Sequence, residues 1–464
     1  MKKYLDIAKN NLLLITLVMQ PFLDILAYVQ SESAVSLAGY IRLGLTFLIP
    51  AYVLFFARER KKFIISMAVI AGFCLLHILN GFRVGYISLF TDVKYMLLVC
   101  HAIVLLFSFM FLYEKQELLR QIKTALKVVI VSVVATYYLS YVLKSGSHTY
   151  VDSYIGWTGW NNTPSVFSII LSAIFPFAAY FCINSTKKWT ILFLLPLSYM
   201  YILNATKAAY LTLIGTLFCF AAFLIVEFFI KRKEKFPIFV ILTLIVLMIS
   251  SVALYNYSPR HDIDTLNNIS LQQGNEMLSN KDDEDEDLSV EEIFVKYLDK
   301  AMIKRFGQEK FLAAYNGELT AENLADNRLK KIIFGSLVWE QTDTLTKFVG
   351  FEQTQMYIGN DTYDLESDPQ AIYFYYGYIG SALFAGLLLY FLLRILKQVL
   401  FRFKESFNFF NFTIFLTYGL LLVSTVYTGH LLRRPNSAIY LAVVLLLIYI
   451  QTEPLFKKKK AEKV

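Results

Sequence analysis

The chain has 464 residues, 57% of them hydrophobic and 16% aromatic, with a formal net charge of +8. Apolar stretches of about 17–25 residues recur along it, the length needed to cross about 30 Å of hydrocarbon, which argues against a soluble protein. They are continuous rather than alternating, which argues against a β-barrel, and the basic residues fall between them, so the charge reports topology and not nucleic-acid binding.

Met1–Asn10 carries Lys2, Lys3 and Lys9 ahead of an apolar stretch, like a signal peptide. No small-residue cleavage site follows, and Pro21 and Asp24 sit inside the stretch, so it reads as a retained first span. Hydropathy then predicts spans near 11–29, 36–57, 63–80, 95–113, 124–143, 164–183, 189–203, 208–230 and 236–257. A polar run of 113 residues follows, from Ser258 to Gln370, and three more spans near 371–393, 407–428 and 435–452. The four cysteines, Cys74, Cys100, Cys182 and Cys219, all lie in apolar spans, so neither a disulfide framework nor a zinc site is indicated.

Charge sets the orientation. Basic clusters at Arg58–Lys62, Lys115–Lys127, Lys187/Lys188, Lys231–Lys235, Arg394–Lys404 and Lys457–Lys463, with the N-terminal lysines, hold 26 of the 44 Lys and Arg. All fall on one side if the spans alternate, which makes that side and both termini cytoplasmic and puts the long loop outside. The expected fold is all-α: a polytopic integral membrane protein of about 12 transmembrane helices with one large extracytoplasmic loop. Its parts are an N-terminal membrane block, 1–257; the loop, 258–370; and a C-terminal membrane block with a basic tail, 371–464.

The long loop holds 11 more, and seven remain for the opposite short loops and span ends: Arg42, Arg83, Lys94, Lys144, Lys207, Arg433 and Arg434. Arg42, Lys94, Lys207, Arg433 and Arg434 stand at or near the outer N-terminus of a span, where the helix dipole is already positive. Snorkelling into headgroups explains Lys144 and Arg83 well enough. Arg42, Lys207, Arg433 and Arg434 oppose both the inside rule and the dipole, and make a candidate site for a phosphorylated ligand. Asp24, an intramembrane carboxylate, has Arg42 as its obvious partner, and structural pairing is its expected role. His430, just before the arginine pair, is either solvated or a hydrogen-bond donor to phosphate or sugar.

Within the loop, 258–288 is acidic, with the run Asp282-Asp283-Glu284-Asp285-Glu286-Asp287, and is expected to be flexible. Residues 289–370 should be partly helical, because Ile293, Val295, Leu298 and Met302, then Leu329, Ile332, Ile333 and Leu337, recur at helical spacing. Arg328 opens the second of these helices. Asp368-Pro369 caps the next span, which is reason enough for Asp368, whereas Glu366 has no structural role to explain it. Two carboxylates facing outward cations supply what general-base chemistry beside a phosphate leaving group needs.

Taken in chain order, these features resemble the O-antigen polymerase and O-antigen ligase superfamily of membrane glycosyltransferases. The resemblance covers most of the chain. It rests on twelve spans, the late external loop, the Lys207 segment Asn204-Ala205-Thr206-Lys207-Ala208-Ala209-Tyr210, Arg328, the turn at Gly350, and an acidic motif ahead of Tyr376-Gly377-Tyr378-Ile379-Gly380. Pro21-Phe22-Leu23-Asp24 is similar to a branch seen in Gram-positive bacteria. The chain departs from the ligases in lacking their His-Asn pair, with Glu366 and Asp368 where the histidine would fall, and Gly350-Phe351-Glu352 lacks a second turn glycine.

The resemblance implies an inverting transfer at the outer face of a bacterial plasma membrane, independent of metal and without a cofactor. The donor would be an undecaprenyl-pyrophosphate-linked oligosaccharide. Membrane lipids surround the enzyme, and a flippase and a chain-length regulator are its expected associates. Arg42, Lys207, Arg328, Arg433 and Arg434 would stabilise the leaving group, with Glu366 preferred over Asp368 as base. The missing His-Asn pair favours a polymerase over a ligase. A polysaccharide flippase is the alternative of another class, but the two halves show no internal repeat. A sensor or scaffold leaves the outer cations unexplained.

Overall fold

A computed structural model describes residues 10–31, 36–232, 236–279, 300–316, 318, 320, 322–323, 326–359 and 361–455. The acidic run 282–287, the apolar positions Ile293, Val295 and Leu298, and the terminal lysines lie outside the described residues.

Helices occupy every predicted span. They are α1 (Leu12–Val29), α2 (Leu37–Phe56), α3 (Arg60–Val84), α4 (Leu89–Leu112), α5 (Lys115–Val142), α6 (Pro164–Ile183), α7 (Leu194–Asn204), α8 (Lys207–Lys231) and α9 (Ile238–Ala253). The polar region contributes α10 (Pro259–Ser279), α11 (Lys300–Phe306), α12 (Gln308–Ala313), α13 (Asn327–Glu340), α14 (Thr344–Val349) and a two-residue hairpin, β1 (Tyr357–Ile358) with β2 (Asp361–Thr362). The chain closes with α15 (Asp368–Phe401), α16 (Phe403–Ser406), α17 (Phe409–Tyr427) and α18 (Pro435–Gln451). Among the described residues nine helices are long and apolar enough to cross a membrane, and α9 and α18 are shorter apolar helices.

The seventh span is the irregular one. Its first part, Lys188–Phe193, is a 3₁₀ helix, and only Leu194–Asn204 is α-helical. Pro196 explains the break, since its ring would meet the carbonyl of residue 192 in a continuous α-helix. Residues 258–288 read as a flexible stretch in the sequence, yet Pro259–Ser279 is helical, opening on proline with Asp262 in its first turn.

The chain forms two compact units, with boundaries inside α3, α4 and α15 and just after the start of α10. The first holds residues 1–70, 97–260 and 385–464. Its core is α6 and α18, buried almost all round, from Val166 to Ala179 and from Ser437 to Ile448. α6 packs on α17, α8, α5 and α18, and α1 packs on α5 and α2. Polar residues in these helices return their hydroxyls to the carbonyl one turn back, as Thr413 and Thr417 do, or pair across helices, as Ser172 does with Thr212 at 2.8 Å.

The second unit holds residues 71–96 and 261–384. Asp326 caps α13 by accepting from the backbone N–H of Arg328 and Leu329, and Asp343 caps α14 in the same way. The apolar face of α13 buries Ile333, Phe334, Leu337 and Val338, and Phe334 stacks on Tyr363. α15 is broken at Gly377, whose φ of 63° and ψ of −164° leave the helical region. Gly350, with φ 94°, packs against that break so closely that a Cβ would stand 2.1 Å from the Tyr375 carbonyl oxygen. Neither position tolerates a side chain.

Gly350→Ala and Gly377→Ala are each expected to abolish most folded protein, scored as the monodisperse fraction in detergent. Gly386→Ala, at a helical position with open space around it, should leave that fraction unchanged. Equal yields from all three would contradict the close packing of these glycines.

Candidate functional site

In the first unit the polar groups nearest the expected outer ends of the helices form one network. Pro21 leaves α1 without one hydrogen bond, and Gln20 and Asp24 project into the unit on either side of it, both buried. Arg42, one to two turns into α2 and 5% exposed, donates from Nη2 to Asp24 Oδ1 at 2.6 Å and from Nε to Gln20 Oε1 at 3.2 Å. Asn436, in the first turn of α18, also hydrogen-bonds Asp24, and Tyr440 one turn further on faces the same pair. Below Arg42, Thr46 donates to the Arg42 carbonyl and lies 2.7 Å from His101 Nδ1. That fixes Nδ1 as the donor of the imidazole and leaves Nε2 a buried acceptor with no partner among the described residues, as is the Tyr440 hydroxyl. An ion pair so deep is held by geometry, because removing either member strands the other's charge in a medium that cannot solvate it.

Next to Asn436 stand the two arginines that open α18. Arg433 is 1% exposed and lies 3.2 Å from His430 Nδ1. His430 adopts a left-handed backbone, φ 61°, after Gly429 with the same sign, so the chain turns sharply here; Ser437 then binds the His430 carbonyl. Arg434 occupies the N-cap of α18, is exposed, and forms no ion pair among the described residues. The network therefore brings together Asp24 and Arg42, and Arg433 with His430, while Asn436 links Asp24 to the turn of α18 that Arg434 caps.

Lys207 is the first residue of α8, exposed, and behind the Thr206 cap. Its position is set by a segment that sequence reasoning passed over. Residues 145–160 fold into a small loop with bridges Ser147–Gly159 and Tyr150–Ile155. Thr149 donates to the Asn204 carbonyl at 2.7 Å, the Trp157 N–H to the Leu203 carbonyl at 2.8 Å, and Arg260 reaches Tyr150 and the Ala205 carbonyl. Gly146, Gly156 and Gly159 among Trp157, Trp160 and His148 were the signal for it. Trp160 of this loop and Asn161 just after it border a narrow cleft with Asp24.

In the second unit, Glu366 is clamped by two cations from α13. Arg328 Nε and Lys331 Nζ each donate to one of its oxygens at 2.8 Å. Partial burial would raise its carboxyl, but Lys331 and then Arg328 outweigh that and hold it below the ordinary carboxylate range. Asp368, at the start of α15, is wholly buried.

The same unit has a cluster that the sequence did not single out. His77 Nε2 lies 2.6 Å from Asp92 Oδ2, and its Nδ1 2.8 Å from the Val349 carbonyl oxygen. Asp92 also accepts from the Gln353 N–H, and Glu352 from the N–H groups of Ile87 and Ser88. Arg83 reaches Asp343, whose carboxyl is held far below its usual range by hydrogen bonds from Arg83 and Thr346. These contacts bind the 343–353 segment to the α3–α4 turn. No motif marks the contacts to 343–353, because their partners in the α3–α4 region lie between 260 and 272 residues away in sequence.

The geometry is that of an α-helical membrane protein with cations gathered at the ends of apolar helices. Over residues 7–453 the chain matches the family model described as O-antigen ligase like membrane protein, and it belongs to that family. The family is one of membrane enzymes that transfer glycans and act on lipid-linked glycans. Among curated proteins none matches the chain.

Asp24→Leu and Arg42→Leu are each expected to lower stability by about 3–5 kcal/mol, because the remaining charge is stranded. The double variant should recover most of that loss in a thermal-unfolding cycle in detergent. Additive losses would show that the two charges are not coupled.

Proposed function

We propose that the chain polymerises oligosaccharide repeat units of a cell-surface polysaccharide, carried on undecaprenyl pyrophosphate, at the outer face of a bacterial plasma membrane. The observation that carries this reading is Arg434, an exposed cation without an ion-pair partner among the described residues, standing at the positive end of α18. A phosphate group relieves both charges at once. Arg433 and His430 beside it, Arg42 in the adjoining network and Lys207 opening α8 extend the set of groups assigned to the pyrophosphate.

In the reaction, the oxygen of an acceptor hydroxyl forms a bond to the anomeric carbon of the donor glycan. The bond from that carbon to the pyrophosphate oxygen breaks, its electron pair leaves with the lipid pyrophosphate, and the configuration inverts. Arginine and lysine stabilise the charge that grows on the leaving group. The hydroxyl proton passes to Glu366, preferred over Asp368. Its two cationic partners keep Glu366 ionised at neutral pH, and a transition state with oxocarbenium character gives up the proton late, so a weak base suffices. Arg328, bound to the same carboxylate, orients it.

A ligase reading, with a wall component, lipid or protein as acceptor, is the second choice and is favoured by the family description. The two differ only in acceptor. Mass spectrometry of lipid-linked glycans from cells lacking the gene separates them. A polymerase deficit leaves single repeats on undecaprenyl pyrophosphate, a ligase deficit leaves full-length polymer there, and a transport deficit leaves repeats on the cytoplasmic side. Arg434→Ala, Arg328→Ala and Glu366→Ala are each expected to fail to restore polymer, with transfer reduced about 10²–10³-fold. Full rescue by all three would remove these residues from the reaction.

A further inference from the structure

The first unit contains a second concentration of positive charge, at the opposite ends of its helices from the network just described. A cavity of about 510 Å³ lies among the start of α3, the ends of α4, α15 and α18, and the start of α5. That volume falls in the range of about 300–1,000 Å³ typical of ligand pockets. Its polar wall is Lys62, Lys115, Arg394 and Glu59, and its apolar wall includes Phe107, Met110, Phe111, Leu387 and Phe391.

The charges in it do not balance. Arg394 is 2% exposed, yet all three of its side-chain nitrogens donate to neutral oxygens. Nε binds Thr452 Oγ1 at 2.9 Å, Nη1 the Tyr390 hydroxyl at 3.2 Å, and Nη2 the carbonyls of Thr452 and Tyr449 at 2.6 and 3.2 Å. Lys115 donates to the Ile450 carbonyl at 3.3 Å and lies over the Tyr449 ring. Among the described residues neither cation pairs with a carboxylate. Lys62 pairs with Glu59, and the nearby Glu453 is taken by Arg402 at 2.6 Å.

Capping the last carbonyls of α18 accounts for where Arg394 and Lys115 point. It does not neutralise them. The negative ends of α18 and α4 offset the positive ends of α5 and α3, so the helix dipoles cancel to first order. Three cations and one carboxylate then leave two positive charges around a partly apolar cavity. An isolated buried cation is unfavourable unless an anion joins it.

We propose that this cavity binds the phosphate headgroup of an anionic phospholipid from the leaflet on the basic side of the membrane. The phosphate sits between Lys62 and Lys115, and the first part of an acyl chain lies along Phe107, Met110, Phe391 and Leu387. A soluble phosphate shares the headgroup chemistry but has no use for the apolar wall, which is why the lipid is favoured.

The test is native mass spectrometry of the full-length protein released from nanodiscs of equal phosphatidylglycerol and phosphatidylcholine. The expected result is one retained phosphatidylglycerol, favoured at least fivefold over phosphatidylcholine. Lys62→Gln with Lys115→Gln should bring the ratio close to one, and Lys62→Arg with Lys115→Arg should preserve it. Leu387→Trp keeps every charge and fills the apolar end, so it should also lose the lipid, and it serves if the glutamine variant does not fold. Equal retention of the two lipids by the unmodified protein would overturn the proposal, as would an unchanged ratio in the Leu387→Trp variant. Displacement of the lipid by millimolar inorganic phosphate would assign the cavity to a soluble phosphate and overturn the lipid.

Discussion

Hydrocarbon offers no water to charges or to backbone amides, and that constraint organises this protein. It requires each span to be helical so that its own carbonyls take its N–H groups, and it restricts charged side chains to the ends of helices or to pairs. Asp24 and Arg42 are the clearest result. They sit 2.6 Å apart inside the first unit, each tolerable only because of the other, and Gln20 and Asn436 complete their hydrogen bonds. The pair, with Asn436, holds α1, α2 and α18 in a fixed relation just below the turn that carries the buried Arg433 and the exposed Arg434. Arg42 is thus neutralised by Asp24, while Arg434 is exposed and forms no ion pair among the described residues.

The membrane architecture was legible in the sequence because the hydrophobic spacing of a span is a local property. α1, α2, α6, α17 and α18 begin and end within about two residues of where hydropathy and caps place them. α7 was less so, since Pro196 turns its first residues into a 3₁₀ helix without changing their hydropathy. The helix Pro259–Ser279 was missed because its apolar residues, such as Ile263, Leu266 and Ile269, are scattered through a mostly polar segment. What the sequence could not reveal were the pairings between distant segments. His77 with Val349, Glu352 with Ile87 and Ser88, and Arg83 with Asp343 join residues in two separate stretches, and a single chain read in order carries no record of that. The break at Gly377 belongs to the same class. Tyr376-Gly377-Tyr378 reads as ordinary helix until Gly350 is found against it.

The candidate site divides in a similar way. Arg434 and Lys207 were found by counting charges against topology, and they are the exposed members of the set. Glu366 stood out for want of a structural role, and it has one after all in its ion pairs with Arg328 and Lys331. Those pairs are compatible with a catalytic part, since they hold the carboxylate ionised and direct it. They also mean that Glu366→Ala alone would report two functions at once, so transfer and stability have to be read side by side in that variant.

The most direct measurement is to reconstitute the purified full-length chain in liposomes with a lipid-linked repeat unit as the only substrate. Release of undecaprenyl pyrophosphate in step with lipid-linked products of two, three and more repeats is the result expected of a polymerase using this donor. An absence of released pyrophosphate lipid, with the repeat unit merely moved across the bilayer, would contradict it.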